Sequence, residues 1–262
     1  MAKTLSKRQT ISVVIMTKNY EHKIEEALKS ATWADEIVIW DGYSTDKTLE
    51  ICRRYTDKIH QSPWSGSFSI ERNQATSRAA MDWCLHIDPD ERITPKLRDA
   101  ILRILSEQGS HKAYEFRKKN FFLGHWMRFG GWYHYSLHFF KKGDATYKGK
   151  VHENLKVQGT IGKIEAPLEH YPFESVSEMV TRHNRYSSLE AREELSTHGN
   201  FTDKKLMYEL KKMPLKRFFK FYIKKKAFLD GKHGLFFSIL FAWVHFINWA
   251  KVWELSHTQA SS

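Results

Sequence analysis

Residues 83–94 have the sequence WCLHIDPDERIT, in which a short apolar run is followed at once by Asp88, Pro89 and Asp90. The run WCLHI has the length and composition of a buried β-strand. Two carboxylates one residue apart at the end of such a strand can present oxygens to one hard divalent cation, such as Mg²⁺ or Mn²⁺. This stretch therefore predicts a strand whose end can hold a metal ion.

Two earlier segments show the same order of an apolar run and a polar end. ISVVIM (residues 11–16) leads into Thr17 and Asn19, and EIVIW (residues 36–40) leads into Asp41. Stretches with helical periodicity separate the runs, which predicts an α/β fold with a mostly parallel sheet. Ligands bind beyond the carboxyl ends of the strands in such sheets. Each polar end alone is typical of turn chemistry, but together they predict one crevice.

The rest of the chain changes character twice. Aromatic, glycine-punctuated segments from residue 112 predict strands and hairpins, and from residue 175 the pattern is helical.

Thr94 is the expected N-cap of a helix with Pro95 at its first position. Cys52 and Cys84, the two cysteines of the chain, are expected to be reduced core residues, because nothing nearby completes a metal-ligand spacing.

Several function classes are disfavoured by missing motifs. The sequence contains no GxGxxG, no GxxxxGK[ST] and no HExxH, which argues against a dinucleotide-dependent dehydrogenase, a P-loop nucleotidase and a zinc protease. The net charge of +12 favours contact with something anionic, which can be nucleic acid, a phosphorylated sugar donor or an acidic membrane surface.

These segments resemble the inverting family 2 glycosyltransferases of the GT-A fold, most closely the bacterial lipopolysaccharide-core β-glucosyltransferase type. The similar segments run almost from end to end: SVVIMTKN (12–19), WADEIVIWDGYSTDKT (33–48), ERN (71–73), HIDPDERIT (86–94), WMRFGGWY (126–133), VHE (151–153), LEHY (168–171), FLDGKHG (228–234) and KVWEL (251–255). The resemblance implies an α/β, Rossmann-like, mostly parallel sheet flanked by helices, with a C-terminal helical extension.

The implied activity is the transfer of one hexose, glucose or another, from a UDP-sugar to a glycan or lipid-linked acceptor of the bacterial cell envelope, with Mg²⁺ or Mn²⁺ as cofactor. The QxxRW motif of processive relatives is absent, which favours transfer of a single sugar. The expected parts are a nucleotide-sugar-binding half (1–110), an acceptor and catalytic half (111–174), and a basic, aromatic-rich helical extension that associates with the membrane (175–262).

The resemblance also implies roles for single residues. The residues expected to bind the nucleotide sugar are Thr17, Asn19, Asp41, Arg72 and Asp88, and Asp90 is the expected metal ligand. Glu153, beside His152 and after the aromatic hairpin region, is the expected base that takes the proton of the acceptor hydroxyl. Asp144, Glu165 and Glu169 are alternative bases, and His170 is a further candidate for contact with the metal or the diphosphate.

Two aromatic side chains are candidates for acceptor binding. Trp132 and Tyr133 stand among glycines, and aromatic faces pack well against the apolar face of a pyranose. Packing in a hydrophobic core is an equal alternative for both.

The end of the chain favours a peripheral membrane contact. A lysine-rich stretch, residues 204–226, precedes residues 231–253, in which a run of about sixteen mostly apolar residues, broken by His245 and Asn248, is short for a membrane span. We predict an interfacial element whose basic face meets anionic lipid. The side chains expected to enter the lipid are Phe236, Phe237, Trp243 and Trp249. The alternative is an ordinary packed helix with a solvated lysine face.

Because MAKTLSKRQT has no apolar signal core, the expected location is the cytoplasm, at the inner face of the inner membrane.

Two other functions compete with glycosyl transfer. A nucleotidyltransferase would also bind a nucleotide through a metal ion and a parallel sheet. A nucleic-acid binder would explain the charge, but it leaves the polar strand ends unexplained, so no nucleic-acid partner is expected.

Overall fold

The computed structural model describes residues 8–107, 109–149, 154–199 and 201–258. The chain forms two compact units. The first comprises Met1–Lys118 with His134–His170, and the second comprises Lys119–Tyr133 with Tyr171–Ser262.

Strands and helices alternate in the first third, as predicted. The strands are β1 (Ile11–Thr17), β2 (Glu36–Asp41), β3 (Ile59–Gln61), β4 (Trp83–Ile87), β5 (Glu91–Ile93), β6 (Ala113–Phe122), β7 (His125–Trp126), β8 (His134–Lys141), β9 (Ala145–Lys148), β10 (Asn154–Val157) and β11 (Ile161–Phe173). The α-helices are α1 (Ile24–Ala31), α2 (Thr48–Cys52), α3 (Phe68–Arg78), α4 (Pro95–Glu107), α5 (Val176–His198), α6 (Asp203–Lys211), α7 (Met213–Phe219) and α8 (Gly231–Thr258). A π-helical turn, Lys220–Lys224, and a 3₁₀ turn, Ala227–Asp230, lie between α7 and α8.

The main sheet has the strand order β3-β2-β1-β4-β8-β6-β11-β5, and β7 pairs with β6. β1 pairs in parallel with β2 on one side and with β4 on the other, and β2 pairs in parallel with β3. β8 is antiparallel to both β4 and β6. The main sheet is therefore mixed. The predicted α/β class, with a mostly parallel sheet flanked by helices and a C-terminal helical part, is confirmed.

The core of the first unit forms on the central strands. β1, β2 and β4 are buried over almost their whole length, which explains their continuous apolar sequences. α1 buries Ile24, Leu28 and Ala31, which recur at helical spacing. Cys52 and Cys84 are buried and free, and burial raises the pKa of each thiol to about 12. The prediction of reduced core cysteines is confirmed.

The second unit has two cores of its own. Phe122, Phe173 and Phe237 are buried in one of them, and Trp249 packs with Val252 in the other. The prediction that Phe237 and Trp249 enter lipid is therefore wrong. It failed because α8 is apolar on most of its circumference, so the sequence does not show which side packs.

We expect Thr94→Ala to lower the free energy of unfolding by about 1–2 kcal/mol, because two hydrogen bonds are lost. The Thr94 hydroxyl accepts the Leu97 N–H at 3.2 Å, as an N-cap does, and donates to the Pro167 carbonyl at 2.7 Å. Urea unfolding measures the change. Thr94→Ser keeps the hydroxyl and is the control; a Ser variant as unstable as the Ala variant would contradict this assignment.

Candidate functional site

The carboxyl ends of three neighbouring strands meet at one edge of the sheet. Thr17 at the end of β1 lies opposite Asp41 at the end of β2. On the other side of β1, Ile15 lies opposite Ile87, and Asp88 follows directly. The structure therefore brings together the three polar clusters that the sequence predicts at this edge.

The loops after β1 and β2 are bound to each other. The N–H of Asn19 donates to the Ser44 hydroxyl at 2.9 Å, and the side-chain carbonyl of Asn19 accepts the Thr45 N–H at 2.8 Å. The N–H of Tyr20 donates to the Thr48 hydroxyl at 2.8 Å. Asn19 has a φ of 57°, a conformation that asparagine tolerates better than most residues. The turn formed by residues 44–48 (STDKT) thus holds the loop after β1 in place. The role of Asn19 in nucleotide binding stays a prediction.

Asp41 and Thr17 lie beneath these loops. Asp41 is fully buried, and its Oδ2 accepts hydrogen bonds of 2.9 Å from the Ser44 N–H and from Gln61 Nε2. The buried hydroxyl of Thr17 has no hydrogen-bond partner in the described part of the chain, which is uncommon in folded proteins. An unsatisfied polar atom at a strand end supports the prediction that a ligand contacts this residue.

A cavity of about 460 Å³ adjoins this edge. Its volume falls in the usual range of small-molecule pockets. Gln61, which donates a hydrogen bond to Asp41, lines this cavity. The lining residues are Trp40, Ile59, His60, Gln61, Ser62, Gln74, Ser77 and Arg78.

Arg72 and Asp88 form an ion pair at the end of β4. Nη2 of Arg72, which α3 presents, lies 3.1 Å from Oδ1 of Asp88. Burial alone would raise the pKa of the Asp88 carboxyl, but the nearby charges of Arg72 and Lys118 outweigh it and hold that pKa well below its usual range. Asp88 is therefore a carboxylate at neutral pH and can accept hydrogen bonds from a ligand.

Lys118 and His138 belong to this site and were not predicted. Lys118 binds the buried carboxylate of Glu91; burial opposes its charge, but Glu91 and Asp88 raise its pKa. Burial, with the charges of Lys118 and Arg72, lowers the pKa of His138 to about 3. Both residues come from strands far along the chain, β6 and β8, and no local motif marks them.

Asp90 and His170 form the part of the site that suits a metal ion. Antiparallel pairing of β11 with β5 brings His170 opposite Glu91, and Nε2 of His170 lies 3.5 Å from Oδ1 of Asp90. No third His, Cys, Asp or Glu joins them among the described residues. Mg²⁺ is often held by one or two carboxylates together with substrate phosphates, and Asp90 offers one such carboxylate, so the residues present fit an ion of this kind.

Glu153, the predicted base, lies outside the described residues. The strands on either side of it, β9 and β10, pair with each other. β9 is fixed to α3, because Tyr147 and Asn73 exchange two hydrogen bonds of 2.9 Å, and the Arg72 guanidinium lies 5.5 Å from the centre of the Tyr147 ring. This hairpin is therefore anchored at the ion pair of Arg72 and Asp88.

Two alternative bases are engaged elsewhere. Asp144 lies 3.0 Å from Lys112 in an ion pair, and Glu165 accepts a hydrogen bond of 2.6 Å from the Tyr135 hydroxyl. Glu169 faces Arg92 across the β5–β11 pair. Nothing in these contacts favours them over Glu153, whose role stays a prediction.

Trp132 and Tyr133, the candidate acceptor residues, lie in the second unit. The Trp132 ring packs against Phe237, with ring centres 4.7 Å apart, and against Phe241 at 5.2 Å. Tyr133 makes an edge contact with Trp126. Core packing, the alternative interpretation, accounts for the observed contacts of Trp132, and the acceptor role of both residues stays a prediction.

Comparisons with known proteins agree on one family. Residues 12–157 match the model of glycosyl transferase family 2. An uncharacterized glycosyltransferase of Rickettsia typhi is 30% identical over 94% of this chain and 87% of its own length. The lipopolysaccharide core biosynthesis glycosyltransferase LpsC of Rhizobium meliloti is 23% identical over 93% of this chain and 92% of its own length.

Glucosyl-3-phosphoglycerate synthase of Mycobacterium tuberculosis, in complex with Mn²⁺ and UDP-glucose, is 20% identical over 42% of this chain and 44% of that chain, with a TM-score of 0.37.

We expect His138→Gln to reduce the acid sensitivity of the fold. An unfolded histidine takes up a proton near pH 6.5, whereas folded His138 stays neutral down to about pH 3, so this residue lowers stability as the pH falls from 7.5 to 5. In the variant, the loss of unfolding free energy over that interval should shrink by about 1–2 kcal/mol. His22→Gln, at an exposed histidine, is the control; an unchanged pH dependence in the His138 variant would refute the assignment.

Proposed function

This chain belongs to glycosyltransferase family 2, and from that membership we propose that it transfers one hexose, glucose or another, from a UDP-sugar to an acceptor with inversion. The observation that carries the proposal is the meeting of Asp41, Asp88 and Asp90 at one edge of the sheet, with Arg72 beside them. LpsC, which is named for lipopolysaccharide core biosynthesis, supports a glycan or lipid-linked acceptor of the cell envelope.

The donor would lie along the edge formed by β1, β2 and β4. Thr17, Asn19 and Asp41 would hold the uracil and ribose, and the ionised Asp88 would accept a hydrogen bond from a ribose hydroxyl. Arg72 and Lys118 carry positive charge into this region and would attract the diphosphate.

Asp90 would hold the metal ion, with His170 as a second ligand. When bound, Mg²⁺ or Mn²⁺ neutralises the negative charge that develops on the departing diphosphate. Asp90 would supply a negatively charged oxygen ligand, and phosphate oxygens of the donor would bind the same ion.

Asp90→Asn should lower the rate of sugar transfer by about 100-fold or more, because it removes the charged ligand and metal-ion catalysis is worth several kcal/mol. UDP release from a panel of UDP-sugars, with Mg²⁺ or Mn²⁺, measures the rate. Asp99→Asn, at an exposed aspartate on α4, is the matched control. Wild-type turnover in the presence of EDTA would overturn the metal proposal.

Glu153→Gln should lower transfer by roughly two to four orders of magnitude, the usual effect of losing a general base. UDP-sugar binding should stay unchanged, because the substitution keeps the size of the side chain. Titration calorimetry with the UDP-sugar separates binding from turnover. Asp144→Asn is the comparison; an active Glu153 variant together with an inactive Asp144 variant would move the role to Asp144.

We also propose that the second unit binds the cytoplasmic face of the inner membrane. Leu215, Phe219 and Ile223 follow one another at four-residue spacing, and each is more than half exposed. Further exposed apolar side chains lie along α8: Leu235, Phe236, Ile239, Phe246 and Trp253. The exposed lysines Lys216, Lys220 and Lys224 stand beside the first group. Apolar side chains bordered by lysines suit an anionic lipid surface.

The polar groups of α8 favour surface attachment over membrane crossing. With 28 residues, α8 is longer than the predicted apolar run, and its length and composition alone would allow it to span a bilayer. However, His245 Nε2 lies 3.2 Å from Glu209 of α6, and Lys251 Nζ lies 2.7 Å from Asn184 Oδ1 of α5. These bonds tie the helix into its unit and leave an apolar side exposed.

Replacing both Phe236 and Ile239 with serine should lower the partition coefficient of the protein for anionic vesicles by about tenfold or more, because two partly exposed apolar side chains no longer enter the lipid. Co-sedimentation with the vesicles measures this coefficient. Vesicles with and without phosphatidylglycerol, at low salt, are compared. Ile70→Ser, at an exposed isoleucine of α3, is the control. A full chain that stays in the supernatant with anionic vesicles would show that α8 serves the fold alone.

A further inference from the structure

A second cavity, of about 370 Å³, lies within the second unit. Its volume is at the small end of the range for ligand pockets and suits a single sugar. Two separate sequence segments form its walls. The lining residues are His125, Trp126, Arg128, Phe129, Leu229 and Asp230.

Asp230 holds the two segments together. It is buried, and its carboxylate accepts the N–H of Arg128 at 3.3 Å and the N–H of Phe129 at 2.9 Å. His125 Nε2 lies 3.5 Å from the same carboxylate, and the His125 ring stacks on His233 at 4.4 Å between centres. The negative charge of Asp230 is thus engaged in the structure of the wall, which leaves cationic and apolar groups to meet a ligand.

One cation, Arg128, lines the cavity, and a second, Lys119, lies beside its wall. The guanidinium of Arg128 lies 4.5 Å from the centre of the Trp126 ring, and Lys119 Nζ lies 4.9 Å from it. Such cation–π contacts hold a guanidinium in one orientation without consuming its hydrogen-bond donors. Phe129 and Leu229 add apolar surface to the same cavity, and apolar surface of this kind packs against the C–H face of a pyranose.

One polar atom of the wall lacks a hydrogen-bond partner within the described residues. It is the buried Nε1 of Trp126. The indole Nε1–H can only donate, so an anionic oxygen is the partner that would satisfy it most strongly. Unsatisfied buried atoms are uncommon in folded proteins, and this one belongs to a residue that lines the cavity.

We propose that this cavity binds a phosphorylated sugar, with the phosphate at Arg128 and the ring against Phe129 and Leu229. The identification of that sugar as part of the acceptor rests on the proposed function, whereas the binding itself does not. Arg128 is the main charged contact, because its side chain lines the cavity and is oriented by Trp126.

Titration calorimetry of the full chain with glucose 6-phosphate tests the proposal. The wild-type protein should bind it in the presence and absence of saturating UDP and Mn²⁺, and should bind glucose and inorganic phosphate much more weakly. Arg128→Gln should raise the Kd about tenfold or more, the usual effect of losing a charge-assisted hydrogen bond. Leu229→Glu, at an exposed position, should weaken binding as well by repelling the phosphate. Arg98→Gln, at an exposed arginine of α4, should not.

An unchanged Kd in both cavity variants, displacement of glucose 6-phosphate by UDP, or equal binding of inorganic phosphate would overturn the proposal. The same titrations with UDP and Mn²⁺ separate it from the proposed function. Loss of the glucose 6-phosphate site with intact UDP binding would count against this inference alone. A chain that binds glucose 6-phosphate but neither binds nor turns over UDP-sugars would count against the proposed function alone.

Discussion

The parallel pairing of β1 with both β2 and β4 is the constraint on which the candidate site depends. Because parallel neighbours end on the same side, this pairing fixes Thr17, Asp41 and Asp88 at one edge. The loops that follow β1 and β2 are bonded to each other, because Asn19 forms hydrogen bonds with Ser44 and Thr45. The site is therefore built on strands and held by turn residues, which favours a preformed geometry.

Opposite charges at this edge compensate one another. A carboxylate removed from water is costly unless it is paired and hydrogen-bonded, and the buried Glu91 meets Lys118. The partly exposed Asp88 meets Arg72, and the charges of Arg72 and Lys118 both lower its pKa. Because such pairs add little net stability, we expect these charges to serve ligand binding more than stability.

Local sequence patterns predicted the strands, their polar ends and the cap at Thr94, since periodicity, apolar runs and capping residues act over a few positions. They did not predict Lys118 and His138, which reach the site through pairing between strands distant in the chain. They also failed for Phe237 and Trp249, because a helix that is apolar on most sides does not reveal which side is buried. The family resemblance, by contrast, was confirmed by the match to glycosyl transferase family 2.

The burial of both cysteines has a practical consequence. Cys52 and Cys84 are the only thiols of the chain, and the pKa of each is raised to about 12, so the reactive thiolate is scarce at neutral pH. A single cysteine introduced at an exposed position would react with a maleimide probe without competition from the native thiols. Fluorescent or spin labels can therefore be attached one at a time, and motion within either unit can be followed in solution without first removing any native residue.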